Sequence, residues 1–190
     1  AQMVCIITAD GVWAGTPGSA SVRATEGVAA YPLAVLETMP SDSRELSATD
    51  AAAVRRRALI GIAAEAAGLM QGALDNTVQY VKDRQQFGQP IGNFQAVQHR
   101  LAESAQLARA SRWLAFRAAW ADNDEQAEIA CLYVQEAMRK VVTDCHQFSG
   151  AMGLTLEFPL HLWTYRLKVL QGEAGGKGAQ SQQLADRIWA

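Results

Sequence analysis

The chain has 190 residues, 49% of them hydrophobic and 19% charged, with a formal net charge of -2. That is a globular composition; it excludes a disordered or fibrous polypeptide and lacks the basic footprint of a nucleic-acid binder. Three cysteines at wide spacing exclude a disulfide framework and fit a reducing, cytoplasmic setting, and no apolar run approaches the roughly 18 residues a bilayer span requires.

Residues 1–46 read as part of a β-domain. Val4-Cys5-Ile6-Ile7-Thr8 is a short β-branched run closed by Asp10-Gly11, which predicts a strand and a turn. Gly15-Thr16-Pro17-Gly18-Ser19 predicts a loop, and Val22–Ala24 and Ala34–Leu36 two further strands. So few short strands do not make a stable sheet alone, so the segment is expected to be the remnant of a larger β-domain. The chain opens on Ala1, not on an initiator methionine.

From residue 47 onward the pattern is helical. Ala51–Asp83 has no proline, and Leu59, Ile62, Ala66, Leu69, Ala73 and Val78 recur mostly on one face, with Thr49 or Asp50 as the cap. Phe87-Gly88-Gln89-Pro90 ends this helix. A second is predicted over Phe94–Trp120, capped by Asn93, and a third over Glu125–Phe148 after the polar turn 121–124. A short helix over Leu160–Leu170, a glycine-rich loop over Gly172–Gly178 and a last helix over Gln180–Trp189 follow. Long helices with short connections imply antiparallel neighbours, hence a mainly α chain built on an antiparallel four-helix bundle.

Three stretches carry chemistry. Arg84-Gln85-Gln86-Phe87-Gly88 places a guanidinium, suited to a phosphate, beside a flat ring at a helix exit. Taken alone, an arginine offsetting the helix dipole is the simpler reading. Phe94-Gln95-Ala96-Val97-Gln98 puts two amides three residues apart near free backbone N–H groups; a core Phe94 with solvated glutamines explains it equally well. Gln147-Phe148-Ser149-Gly150-Ala151-Met152-Gly153 allows close backbone approach to a flat or charged group, or is a C-cap with Gly150 left-handed. His99, His146 and His161 lack metal-ligand spacing and read as structural, so no metal is expected. Arg55-Arg56-Arg57 reads as a solvated or interface face, and Trp113, Trp120, Trp163 and Trp189 as core or interface anchors.

Together these stretches resemble the acyl-CoA dehydrogenase family over about residues 45–190. Arg84, Phe87, Gly88 and Ile91 match its Arg-x-x-Phe-Gly-x-x-Ile pattern, and Gln95 falls eleven residues after the arginine, as in the family. Gln147, Gly150 and Gly153 match Gln-x-x-Gly-Gly-x-Gly, with Ala151 replacing the second glycine, and Glu157-Phe158-Pro159 resembles Glu-Tyr-Pro. The resemblance implies FAD: Arg84, Gln86 and Phe87 on its pyrophosphate side, Phe94 and Gln95 near its adenine end, and Gln147, Gly150 and Ala151 supporting the same stretch, all on a cofactor held by the neighbouring subunit. It also implies an acyl-CoA substrate and an electron-transfer flavoprotein as acceptor.

The family's usual catalytic carboxylate has no match. Aligning Lys168 and Gln171 places Ala174 at the base position, with Glu173 one residue early. The region where some members carry the base on the first long helix is Arg57-Ala58-Leu59, and Glu65, about two turns on, is expected to face solvent or a neighbour's arginine. The pattern is similar to the base-less subunit of heteromeric actinobacterial dehydrogenases acting on steroid side chains, a grouping that Phe158-Pro159-Leu160-His161 also resembles; a homologous partner in an α2β2 assembly is then expected. The rivals are a homomeric dehydrogenase using Glu173 and a helical assembly module without flavin.

Overall fold

The computed structural model describes residues 3–8, 10–18, 22–27 and 33–189. The chain divides into two compact units, residues 1–58 and 59–190. Ala1 and Ser19, named above, lie outside the described residues.

In the first unit β1 (Val4–Ile7) and β2 (Val12–Gly15) form an antiparallel hairpin with Val4 opposite Gly15 and Ile7 opposite Val12. β3 (Val22–Thr25) pairs with β4 (Leu33–Leu36) in a separate two-stranded sheet. β5 (Arg44–Glu45) adds to β2, giving the order β1-β2-β5. The expected strands at 4–8, 22–24 and 34–36 are present. β2 and β5 are additional: Gly15 was assigned to a loop, yet it ends the central strand, where the segment 40–43 passes so near that an added Cβ would sit 3.0 Å from Pro40. Arg55, expected on a solvated or interface face, donates to the carbonyl oxygens of Thr8 (2.7 Å) and Gly11 (3.3 Å), closing the β1–β2 turn.

α1 (Ala48–Asp83) has 36 residues, about 54 Å of helix. Its cap is Ser47, not Thr49 or Asp50. The Ser47 hydroxyl accepts the Asp50 N–H at 3.1 Å and donates to the Asp50 carboxylate at 2.8 Å, so Asp50 serves the cap from within the first turn. In the second unit α1 buries Ile62, Ala63, Ala66, Met70, Ala73, Leu74, Thr77 and Val81. That is the expected stripe, with Leu59, Leu69 and Val78 packed at its edges.

α2 (Gln95–Ala121) and α3 (Asp124–Ser149) run antiparallel across a short turn, where Asn123 accepts the Gln126 N–H at 2.9 Å. The face of α2 that is buried carries Leu101, Ser104, Ala108, Ser111, Ala115 and Ala118 at alternating three- and four-residue steps. The small side chains from Ser104 to Ala118 let the two helix backbones approach closely. α3 is the most buried helix, with Val134, Met138, Val141 and Cys145 in the core. α4 (His161–Leu170) and α5 (Gly176–Trp189) complete the unit. Trp163 of α4 crosses α1 at Gly72, where an added Cβ would lie 2.4 Å from the indole nitrogen, so only glycine permits the crossing. Trp163 is thus a packing anchor. Trp113, Trp120 and Trp189 are not core: they are 65%, 90% and 81% exposed.

One buried polar group ties α2 to α3. The Asp144 carboxylate accepts hydrogen bonds from Ser104 (2.7 Å) and Lys140 (3.0 Å) and from the Arg100 guanidinium. Burial opposes its charge, but these hydrogen bonds and the Lys140 charge outweigh that effect and hold its pKa below the usual carboxylate value. Asp144→Asn is expected to destabilise the protein by about 1.5–3 kcal/mol at pH 7 in urea denaturation. Because the folded-state pKa is depressed, this stabilisation is complete above the unfolded value of about 3.9 and is lost as pH falls through the lower folded value. The stability gap between wild type and variant should therefore close below about pH 4.

Candidate functional site

The sequence led us to expect a simple helix exit after Asp83. Instead, residues 84–91 form a small hairpin. The Ile91 N–H donates to the Arg84 carbonyl at 2.9 Å, Gln85 pairs with Pro90, and Gln86 with Gln89. Pro90 therefore occupies a non-hydrogen-bonded pair, where its missing N–H costs nothing. The two-residue turn is Phe87 (φ 55°) and Gly88 (φ 79°), both left-handed, as the twist of such hairpins demands. Glycine adopts this freely; for Phe87 it costs about 1–2 kcal/mol. Nevertheless Phe87 stands 89% exposed at the hairpin tip, touching the chain edge-on through Phe94 at 6.0 Å between ring centroids.

At the hairpin's root the Arg84 side chain is exposed and makes no ion pair with a described residue. It lines a cleft of about 340 Å³ with Asn76, Gln79, Tyr80, Asp83 and Phe158. Phe158 packs edge-on against Tyr80 at 5.2 Å, which brings the 157–159 segment to the same end of α1.

α2 begins immediately beyond the hairpin. Phe94 is its N-cap residue and makes no side-chain cap; Asn93, the expected cap, is taken up in a 3-10 turn over Ile91–Asn93. Several N–H groups of the first turn are consequently left without a side-chain acceptor. Gln95 is exposed. Gln98, expected to present its amide beside Gln95, instead donates to the Gly92 carbonyl at 2.9 Å. The end of α3 lies alongside: Arg100 stacks over Phe148 at 5.1 Å while pairing with Asp144. This contact sets the exposed Gln147 at the same end of the unit as Gln95. Gly150 (φ 56°, ψ -143°) has a positive φ but is not in the left-handed helical region, a conformation close to glycine-only territory, and it leads with Ala151 into an exposed 3-10 turn. Arg84, Gln86, Phe87, Phe94, Gln95, Gln147, Gly150 and Ala151 thus share one end of the second unit, and all but the half-buried Phe94 are exposed.

His146 shares a 3.0 Å hydrogen bond with Thr164, and burial lowers its pKa. His161 bonds the Phe158 carbonyl oxygen at 2.9 Å. Burial raises the Cys131 and Cys145 thiols to about 11, too high for a reactive thiolate at neutral pH. Among the described residues no group of three or more His, Cys, Asp or Glu side chains gathers to hold a metal.

The loop after α4 contains an ion bridge that the sequence reading missed. Arg166, with a side chain only 9% exposed, donates to both carboxylate oxygens of Glu65 (2.6 and 2.9 Å) and to Glu173 (3.2 Å). Glu65, expected to face solvent or a neighbour's arginine, is thus half-buried and paired with an arginine of its own chain. The signal was available: a lone arginine inside the otherwise largely apolar His161–Leu170 requires carboxylate partners once buried. The glycine-rich segment is shorter than expected. Glu173–Gly175 is a 3-10 turn and α5 starts at Gly176, four residues early. Ala174 is exposed and left-handed (φ 53°, ψ 28°), and Gln180 holds its carbonyl through a 2.7 Å hydrogen bond.

Comparison with known proteins bears on this arrangement. Residues 52–189 match the family model described as "Acyl-CoA dehydrogenase, C-terminal domain". A "Probable short/branched chain specific acyl-CoA dehydrogenase" of Dictyostelium discoideum is 36% identical over 134 residues, 68% of this chain and 32% of that protein. "Acyl-CoA dehydrogenase FadE34" of Mycobacterium tuberculosis is 36% identical over 157 residues, 77% of this chain and 20% of that one. Among solved structures, a variant of the steroid ACAD Tcur3481-Tcur3483 superposes with a TM-score of 0.84 at 28% identity, covering 98% of this chain and 54% of that one. The chain thus spans a third or less of these curated relatives and about half of the structural neighbour. No helix among the described residues is long and apolar enough to cross a membrane. With the family model covering the helical unit almost end to end, this chain belongs to the acyl-CoA dehydrogenase C-terminal domain family.

Proposed function

We propose that the chain is a subunit, or part of one, of an FAD-dependent dehydrogenase that introduces an α,β double bond into an acyl-CoA thioester, with an electron-transfer flavoprotein as acceptor. In this reading residues 1–46 close a β-domain and residues 47–190 form the helical domain. The observation that carries the proposal is the Arg84 guanidinium, exposed and without an ion-pair partner among the described residues, at the end of the unit where Phe87, Gln95 and Gln147 are exposed. An unpaired guanidinium and free helix N–H groups fit a pyrophosphate, and an exposed ring and unbonded amides fit a flat heterocycle. These groups face outward from their own unit, which supports a cofactor held mainly by a neighbouring subunit. FAD, when bound, supplies a hydride acceptor. Arg84, Gln86 and Phe87 would hold its pyrophosphate side, Phe94 and Gln95 its adenine end, and Gln147, Gly150 and Ala151 would line the same stretch.

The second half of the proposal is that this chain does not supply the α-proton acceptor. Ala174 stands where the family's carboxylate is expected. Glu173, one residue before it, is drawn to Arg166 of its own chain, and so is Glu65. A general base must reach the proton it takes, so a homologous companion subunit would provide it in an α2β2 assembly. The 28%-identical steroid ACAD, whose name joins two components, supports a steroid side-chain thioester as the substrate class.

Two variants test this in the complex purified with a co-expressed companion. Arg84→Ala removes a charge-assisted contact of about 1.5–3 kcal/mol, so FAD affinity should fall by one to two decades, read from flavin absorbance per complex. Gln95→Ala should act in the same direction but more weakly, and unchanged flavin content in Arg84→Ala would exclude the interface-donor role. Glu173→Gln should change acyl-CoA turnover by less than about tenfold, whereas loss of a true base costs at least about 10²-fold with FAD still bound. The larger loss would assign the base to Glu173 and favour a homomeric enzyme.

A further inference from the structure

The end of α3 and the turn that follows it enclose polar atoms that neither the flavin contacts nor the Arg166 bridge use. His146 lies in the last turn of α3, with its Nε2 3.0 Å from the Thr164 hydroxyl oxygen. Thr164, buried in α4, gives its one hydroxyl proton to the Leu160 carbonyl at 3.2 Å. It can therefore only accept from the ring, which fixes the ring proton on Nε2 and leaves neutral His146 an acceptor at Nδ1. That Nδ1 is buried and has no hydrogen-bond partner among the described residues. The hydroxyl of Ser149, three residues on along the same helix face, is buried and unpartnered as well. Gly153, in the 3-10 turn Gly150–Leu154, closes over both. An added Cβ there would lie 2.8 Å from the Ser149 Cβ and 3.5 Å from the His146 Nδ1.

We propose that His146 is a positioning residue: its neutral ring seats the Gly150–Leu154 turn against α3 and α4, and a proton on the ring unseats that turn. Burial is the main obstacle to a charged ring, and the Lys168 ammonium, one helical turn beyond Thr164 on α4, adds to it. The Gly153 backbone favours the proton but makes no hydrogen bond of good geometry with Nδ1, and burial prevails. The turn itself carries no titratable side chain, and Asp144 on α3 is committed to Ser104, Lys140 and Arg100. Because the folded-state pKa lies below the ordinary 6.5, the seat is complete above about pH 6.5 and is lost as pH falls through the lower folded value. The Gly150 N–H donates to the His146 carbonyl, so release of the turn displaces Gly150 and Ala151. That these two residues meet flavin rests on the function proposed above.

The complex purified with its co-expressed companion tests this between pH 8 and pH 5.5. Two quantities are read: hydrogen–deuterium exchange of residues 149–155, corrected for the intrinsic rate at each pH, and flavin per complex. In the wild type, protection of the turn should fall by up to about tenfold by pH 5.5, and flavin affinity should fall with it. His146→Gln sets an amide donor where Nε2–H was and cannot titrate, so it should keep its pH 8 protection down to pH 5.5. Lys168→Glu, a surface change, should move the step to higher pH and keeps the test open if His146→Gln folds poorly. A histidine that only fills space predicts neither effect. The proposal is overturned if wild-type protection is flat with pH, if the step persists in His146→Gln, or if Lys168→Glu leaves its midpoint in place. A step that follows His146 in a complex holding no flavin at any pH overturns the flavin reading and supports the positioning role.

Discussion

The Asp144 carboxylate lies inside the α2–α3 contact with side-chain hydroxyl, ammonium and guanidinium groups closing on it from two helices. Because α2 otherwise offers this contact mainly small residues, packing alone leaves its sliding register weakly determined. A serine and an arginine four residues apart, both bonded to one carboxylate, remove that freedom. The consequence reaches the end of the unit. Arg100, held by Asp144, lies over Phe148, and this sets the start of α2 beside the end of α3. Gln95 and Gln147 owe their common location to that ion pair, not to any contact with each other.

The hairpin at residues 84–91 does comparable work at the end of α1. It spends conformational energy at Phe87 to hold an aromatic ring in solvent, where the folded chain gains little from it. A strained, exposed, apolar residue is difficult to account for by the stability of an isolated unit and is readily accounted for by a ligand or neighbour that covers it. Phe94 supplies the only ring contact described for it, which aims the hairpin at the start of α2.

Arg166 plays a different part. It lies within α4, largely buried, and binds one carboxylate from α1 and one from the following turn. The bridge holds the Glu173–Gly175 turn against the helices, with Gln180 pinning the carbonyl of Ala174 from the other side. Glu173 is thereby given a structural duty in this turn.

The sequence by itself determined the helical unit. Periodic burial in α1, the polar turn before α3 and the short connections were enough to place five helices, because each depends on local pattern and on apolar residues at fixed steps. The motif residues were legible for the same reason: Arg84, Gln95 and Gln147 are separated by intervals that a helix junction and one bundle length preserve. Tertiary structure alone decided the rest. Ser47 displaced Thr49 and Asp50 as a cap, since cap choice depends on where the first turn actually closes. The Phe87-Gly88 turn paired strands only two residues long, too short to leave a periodic signal. The Glu65–Arg166–Glu173 bridge joins residues up to 101 positions apart, and no local pattern encodes which carboxylate an arginine will meet. Trp113 and Trp120 read as core or interface anchors; only the packed fold revealed that α2 turns them outward, because its opposite face, lined with serine and alanine, is the one that fits against α3.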